Sequence, residues 1–331
     1  MDNIENFNNI LRSFNIKANC INYHCGNNYL YYDLVLSPKT KVKDIIKYGD
    51  EISLAIKAHK KPSVRVLHNS GIVRLEFAAT TNRELFLLDY FTNKDVPNGD
   101  LVCLLGESVD GTRMWMDLAK NPHMLIAGTT GSGKSTLLHN IIANLFNYNK
   151  VDTLYLLDPK NIEFIDYEKI RDNVRVVCSY NESVSTLDEL IKIMEFRYSY
   201  IRSGGNPNTL SYIVLIIDEF SDLILQDKEN MFYERLCKLS QKCRAAKISI
   251  ILATQRPSVN VINGAIKANF PARISCRVAS HVDSKVILDT VGAENLIGYG
   301  DAILCDNFRY LERFQIAYTN AKEVYSYFNG N

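Results

Sequence analysis

Net charge is almost absent from this 331-residue chain: 38 Lys and Arg stand against 37 Asp and Glu, a formal +1. That balance excludes a basic surface spread over the whole protein, so any nucleic-acid contact has to come from a local patch. No run approaches the ~18 consecutive apolar residues of a membrane-spanning helix. The first residues, Met1-Asp2-Asn3-Ile4-Glu5-Asn6, lack the basic-then-apolar order of a secretory leader. None of the eight cysteines forms a C-x-x-C pair and no histidine stands at zinc-ligand spacing to a cysteine pair, which excludes a cysteine-based zinc module. Cys103, Cys178 and Cys276 fall in apolar runs and are expected as small core residues. Tryptophan occurs once, at Trp115, where it is expected to pack. What the chain has is bulk: 47% of it is hydrophobic, enough for a sizeable core shared by two folded units.

The most informative stretch is Gly128-Thr129-Thr130-Gly131-Ser132-Gly133-Lys134-Ser135, set between the apolar run Met124 to Ala127 and a helical pattern over Thr136 to Leu145. An apolar strand, then G-x-x-x-x-G-K-S, then a helix is the context in which this signature holds phosphate. The glycines let the backbone fold tightly, so that N–H groups from Gly128 to Thr136 converge on phosphate oxygens at a helix N-terminus. Lys134 reaches the β- and γ-phosphates, and the Ser135 hydroxyl joins a Mg2+ shell. The expected ligands are ATP and Mg2+. An ATP-using chain with scattered cysteines belongs in a reducing cytoplasm.

Ile4, Phe7, Ile10, Leu11 and Phe14 recur at helical spacing, and Tyr29 to Leu36 reads as a strand. Val42 to His59 carries one helical stripe, and strands over Val64 to Leu67 and Ile72 to Phe77 flank the turn Asn69-Ser70-Gly71. This gives a small α+β domain over residues 1–98, closed by the polar stretch Thr92 to Asp100. A second domain, 99–331, opens with Leu101 to Leu105 and a hairpin turn at Asp110-Gly111. Beyond the phosphate loop, apolar runs at Thr153 to Leu157, Val174 to Cys178, Tyr212 to Ile217 and Ile248 to Ala253 alternate with helical patterns, including Ser183 to Tyr200. Such alternation predicts an α/β domain with a parallel sheet and helices on both faces, its ligands at the carboxyl ends of the strands.

Two of those ends carry chemistry. The run Ile213 to Ile217 delivers Asp218 to the Mg2+ shell, and Glu219 is placed to polarise an attacking water as general base. Thr254-Gln255 ends the next run, and the Gln255 amide is suited to sense the γ-phosphate. Arg244, at the end of a charged helical stretch, is not singled out by spacing alone.

Together these motifs resemble the FtsK/SpoIIIE family of DNA translocases. The resemblance is carried by His123 to Ser135, Asp158-Pro159-Lys160 with Glu163, Ile217 to Leu223, Lys242 to Ala246, Leu252 to Asn269, Ala279 to Asp289, Gly292-Ala293-Glu294 and Gly300-Asp301, in the family's order. It implies a RecA-like P-loop NTPase motor that assembles as a homo-hexamer, hydrolyses ATP between subunits and pumps double-stranded DNA through its pore. It places an arginine finger at Arg244 and DNA-facing loops around Arg202 to Asn208 and Arg256 to Lys267. Within them Arg202, Asn208, Arg256, Asn263 and Lys267 offer donors to phosphate oxygens. The small N-terminal domain resembles the family's own small domain. Lys285 stands where the family commonly has arginine. The membrane spans of the cell-division members and a C-terminal winged-helix module are not expected, which points to a stripped motor with a membrane or replicon-encoded partner left open. Two other readings stand beside it: a ring ATPase of conjugative transfer or genome packaging, and a secretion-type ATPase that handles protein.

Overall fold

The computed structural model describes residues 3–26, 28–58, 60–67, 69–78, 84–92, 95–148, 151–306 and 310–329. The predicted linker stretch therefore includes Asn93 and Lys94, and the predicted helical stripe includes His59, all outside the described residues.

The chain opens with α1 (Asn3–Ser13), β1 (Ala18–Cys25), β2 (Tyr29–Leu36), α2 (Val42–Lys47), α3 (Gly49–Ala55), β3 (Ser63–Leu67) and β4 (Ile72–Ala78). The strands form an antiparallel sheet in the order β1-β2-β4-β3. Phe7 and Leu11 of α1, Ile45 of α2 and Ile52 of α3 pack on Leu34, Leu75 and Phe77 of the sheet. Two features depart from the sequence reading. Strand β1 was not anticipated, because as an edge strand it buries only Cys20 and reads as polar. The stripe from Val42 is not one helix: it breaks at Tyr48, and α3 restarts at Gly49, a poor residue for a helix interior.

The remaining elements are β5 (Val102–Ser108), β6 (Arg113–Asp117), β7 (His123–Ala127), α4 (Lys134–Tyr148), β8 (Val151–Leu157), β9 (Val174–Val177), α5 (Tyr180–Arg202), β10 (Tyr212–Ile217), α6 (Phe220–Gln226), α7 (Met231–Lys242), β11 (Ile248–Thr254), α8 (Gly264–Asn269), β12 (Ala272–Cys276), α9 (His281–Leu288), β13 (Asp301–Asp306), β14 (Tyr310–Ile316) and α10 (Ala321–Asn329). They build one sheet in the order β6-β5-β14-β13-β12-β7-β11-β10-β8-β9. The run from β12 to β9 is parallel, as expected. In the antiparallel half from β13 to β6 only the β5-β6 hairpin, turning at Asp110-Gly111, was read from the sequence; β13, β14 and their pairings were not. Successive strand residues face opposite sides, so β7 sends Met124 and Ile126 into one core with Leu138 and Ile142 of α4. Its Leu125 and Ala127 enter a second core with Leu187 of α5 and Leu236 and Leu239 of α7. A sheet covered on both faces leaves its carboxyl edge as the place for polar groups. Cys103 and Cys276 are buried as expected, whereas Cys178 lies past the end of β9, half-buried, with its Sγ 3.1 Å from Asn161 Oδ1.

A polar seam joins the two sheets. Asp301, fully buried, accepts two bonds from Arg313 (2.9 and 2.7 Å), one from the Tyr29 hydroxyl (2.8 Å) and one from the Ile297 N–H (2.8 Å). Arg313 also donates to the Glu76 carbonyl at 3.3 Å, and Lys60 donates to the Leu296 carbonyl at 2.9 Å. Among the described residues, no helix is long and apolar enough to cross a membrane.

Candidate active site

The stretch from Gly128 to Ser135 joins β7 to α4, and the sheet fixes both of its ends. Gly128 donates to the Thr254 carbonyl at 3.2 Å, and Thr129 donates to the Arg277 carbonyl from its N–H at 2.9 Å and its hydroxyl at 3.1 Å. Gly133 has φ of +107°, and a Cβ there would lie 2.6 Å from the Gly300 backbone. Only glycine fits that close approach. Tyr299 and Gly300 donate their N–H groups to the carbonyls of Gly131 (3.1 Å) and Ser132 (2.9 Å). The Gly131 and Ser132 carbonyls are thus held from outside. The N–H groups of Gly128, Thr129 and Ser132 are themselves engaged, by Thr254, Arg277 and Thr129, and those of Thr130, Gly131, Gly133 and the first turn of α4 remain for a ligand. Thr136 sits in the first turn of α4, half-buried.

Lys134 and Asp218 meet as a buried ion pair, each side chain 3% exposed. Burial raises the Asp218 carboxyl above its ordinary value, and the Lys134 ammonium beside it opposes the rise. Ser135 donates its hydroxyl to Glu163 Oε1 at 2.8 Å, while the His139 ring lies 3.3 Å from Glu163 Oε2 and 2.8 Å from the Tyr167 hydroxyl. Hydrogen bonds from His139 and Ser135, with Lys134 nearby, hold the Glu163 carboxyl down at about 2 against the effect of its burial. Asp158, at the end of β8, presents Glu163: its Oδ2 accepts the N–H groups of Ile162 (2.8 Å), Glu163 (2.8 Å) and Phe164 (3.1 Å).

Glu219 follows in a left-handed conformation (φ +51°), a strained backbone for a glutamate. Its carboxylate is buried and accepts from the hydroxyls of Ser221 and Thr254 (2.7 Å) and from the Gln255 N–H at 2.9 Å. Burial alone would raise its carboxyl; the hydrogen bonds outweigh it, and Glu219 titrates below the ordinary range. Lys160 lies 3.6 Å from its Oε2. The Gln255 side-chain oxygen accepts from the Thr130 hydroxyl at 3.0 Å, tying the end of β11 to the phosphate loop. One edge of the sheet therefore gathers Lys134, Ser135, Asp218, Glu219 and Gln255.

Arg244 is elsewhere. It follows α7 and precedes β11, so it occupies the opposite, amino-terminal edge, exposed, with one bond to the Lys120 carbonyl at 3.4 Å. Arg202 and Asn208 share that edge: the Asn208 carbonyl accepts from Lys247 at 3.4 Å. Arg256 leaves the carboxyl end of β11, exposed. The Asn263 side chain caps α8, accepting from Ala265 and Ile266 at 3.1 Å each, and donates to the Tyr233 hydroxyl at 2.8 Å. Lys267 pairs with Asp289. Within a single chain the five expected DNA-facing residues do not share one surface.

The sequence marked Asp158, Glu163 and Gly300 as carriers of the family resemblance without giving them a role, and it singled out neither His139 nor Arg277 nor the rest of the 298–300 turn. Their position at the polar end of β8 is the signal that could have given Asp158 and Glu163 their role. Arg277 carries no local signal, since it reaches the phosphate loop from a distant strand.

The FtsK/SpoIIIE family profile matches residues 90–211 and 202–259. The DNA translocase FtsK of Campylobacter jejuni is 34% identical over 313 residues, covering 88% of this chain and 33% of its own length. The DNA translocase SftA of Bacillus subtilis is 34% identical over 321 residues, covering 90% of this chain and 33% of its own length. The chain thus spans about a third of these curated relatives. Among solved structures, the conjugation coupling protein TcpA of pCW3, in monomer form with ATPgS, superposes with a TM-score of 0.69 at 20% identity, covering 97% of this chain and 96% of that one. The cytoplasmic domain of the Type VII secretion ATPase EccC of Thermomonospora curvata gives 0.61 at 22% identity, over 72% of this chain and 32% of that one. These two likenesses concern the fold, a RecA-like P-loop α/β domain.

Proposed function

The chain belongs to the FtsK/SpoIIIE family, and from that premise we propose that it is an ATP-driven translocase of double-stranded DNA. It works as a cytoplasmic homo-hexamer that hydrolyses ATP at subunit interfaces, with the motor in residues 99–331 and the small α+β domain in 1–98. The observation that carries this reading is the assembly of Lys134, Ser135, Asp218, Glu219 and Gln255 around one phosphate loop, with Arg244 on the opposite edge. An arginine so placed is too far round the sheet to act on its own chain's loop, which supports a role for it at a neighbour's site in a ring.

The donors suit Mg2+. A hydroxyl (Ser135) and carboxylates (Asp218, with Glu163 behind Ser135) are hard oxygen ligands, and among the described residues no cluster of three or more His, Cys, Asp or Glu forms a metal cage. Mg2+ typically takes one or two side chains plus substrate phosphates. Ser135 and Asp218 would hold it, and it would neutralise charge on the phosphates. Within the loop from Gly128 to Thr136, the N–H groups that the backbone leaves uncommitted, together with the Lys134 ammonium, grip the phosphate chain. Glu219, kept ionised by its donors, orients a water and takes its proton as the water oxygen bonds to the γ-phosphorus and the bond to ADP breaks. Gln255 reads the γ-phosphate. Arg256 and Arg202, which make no ion pair among the described residues, and Asn208 contact DNA phosphates directly; Asn263 and Lys267, whose side chains are engaged by α8 and Asp289, contribute after rearrangement.

The test is displacement of a triplex-forming strand from linear duplex DNA. ATP-dependent displacement without separation of the duplex supports this reading. Unwinding of the duplex would favour a single-strand motor, and no effect on any DNA would favour the protein-handling reading.

A further inference from the structure

The site above holds phosphates at one end and leaves the far end of a nucleotide unassigned. Strand order fixes the direction a bound nucleotide must take. Asp218, Glu219 and Gln255 lie at the ends of β10 and β11, on one side of β7, and define the γ-phosphate end. Strands β12 and β13 lie on the other side of β7. A triphosphate whose γ end faces β10 and β11 sends its ribose and base over the turn that enters β13.

That turn is strained. Gly298, Tyr299 and Gly300 have φ of +94°, +52° and +91° in succession. Glycine adopts such angles freely, but a tyrosine does so at a cost. The turn is fixed to the phosphate loop by its bonds to Gly131 and Ser132 and by the contact of Gly300 with Gly133, the residue before Lys134. Gly298, Gly300 and Asp301 are buried, and only the Tyr299 side chain projects, 81% exposed. Among the described residues its ring stacks on no other ring and its hydroxyl makes no hydrogen bond. Strain and an exposed aromatic ring bring the fold nothing here, which is the pattern of a position kept for a ligand.

We propose that Tyr299 is the base-stacking residue, its ring covering one face of the purine of a nucleoside triphosphate held by the phosphate loop. This rests on the nucleotide reading above and adds to it the determinant that separates a nucleoside triphosphate from a bare one. A stacking ring acts on any purine and ignores the phosphates.

The experiment measures equilibrium binding of two probes, ATP and inorganic tripolyphosphate, to the full chain and its variants. Tyr299→Asn removes the ring while tolerating the left-handed backbone, and Tyr299→Phe keeps the ring. Tyr299→Asn is expected to weaken ATP binding about tenfold and leave tripolyphosphate unchanged, with Tyr299→Phe within about twofold of wild type. Equal losses for both probes, or no loss for ATP, would overturn the inference. Lys134→Ala distinguishes the premise: it should weaken both probes, and its retaining both would defeat the nucleotide reading itself.

Discussion

Replacing Arg313 by methionine tests the junction that steadies the phosphate loop. Arg313 and Asp301 are 4% and 1% exposed as side chains, and the guanidinium grips the carboxylate through two bonds. Its third contact is the Glu76 carbonyl, and its face covers the Tyr29 ring at 4.9 Å. With methionine at this position, Asp301 keeps only the Tyr29 hydroxyl and the Ile297 N–H, and a buried carboxylate stands without a counter-charge. Breaking a buried pair in this way costs about 3–5 kcal/mol, whereas removing both charges costs far less. Arg313→Met should therefore lower the urea midpoint at unchanged slope, and Asp301→Asn combined with Arg313→Met should recover most of the loss. Because Asp301 follows the turn bonded to Gly131 and Ser132, Arg313→Met should also weaken ATP binding. A single variant within about 1 kcal/mol of wild type would refute the reasoning, since that is the worth of a solvated pair. So would a double variant no more stable than the single one.

Three further outcomes are expected. Gly133→Ala forces a Cβ to 2.6 Å from the Gly300 backbone and should abolish ATP binding, whereas Gly131→Ala, at φ +73° with open space around it, should cost only about 1 kcal/mol; calorimetric melting with and without ATP compares them. Glu76 is fully buried and its carboxyl is pushed by desolvation from 4.5 to about 7. The folded state then binds more protons than the unfolded one between those values, so stability falls as pH rises through this window and levels off above it. Glu76→Gln should remove the fall: between acid pH and pH 8 the wild type should lose about 3 kcal/mol that the variant keeps, each measured by urea titration against its own acid-side value. Thr254→Val takes one donor from Glu219, raising the pKa of its carboxyl, so the acid limb of the ATPase profile should move to higher pH; an unmoved limb would mean that Glu219 is not the ionising group.

The parts of the site that were legible in the sequence are contiguous. The phosphate loop and the Asp218-Glu219 and Thr254-Gln255 pairs each sit at the end of an apolar run, and a parallel sheet brings such ends to one edge. What was hidden depends on contacts between distant segments. Arg277 and the 298–300 turn support the loop through backbone atoms, which leave no mark in composition beyond Gly298 and Gly300. The joining of the antiparallel half to the rest of the sheet was missed because β12 to β13 and β14 to β5 pair segments far apart in the chain, whereas the local β5-β6 hairpin was legible from its turn. Asn263 and Lys267 read as donors for DNA, but α8 and Asp289 already engage their side chains, which no spacing rule reveals.

The central claim is a ring motor driven by hydrolysis between subunits and stimulated by duplex DNA. The most direct measurement is ATP hydrolysis with and without linear double-stranded DNA, for wild type, Lys134→Ala, Arg244→Ala and an equal mixture of the two variants. The account predicts strong stimulation of the wild type by duplex DNA, near silence from each variant alone, and partial activity in the mixture, where an intact loop meets an intact arginine across an interface. Hydrolysis indifferent to DNA, or an Arg244→Ala variant as active as wild type, would contradict it.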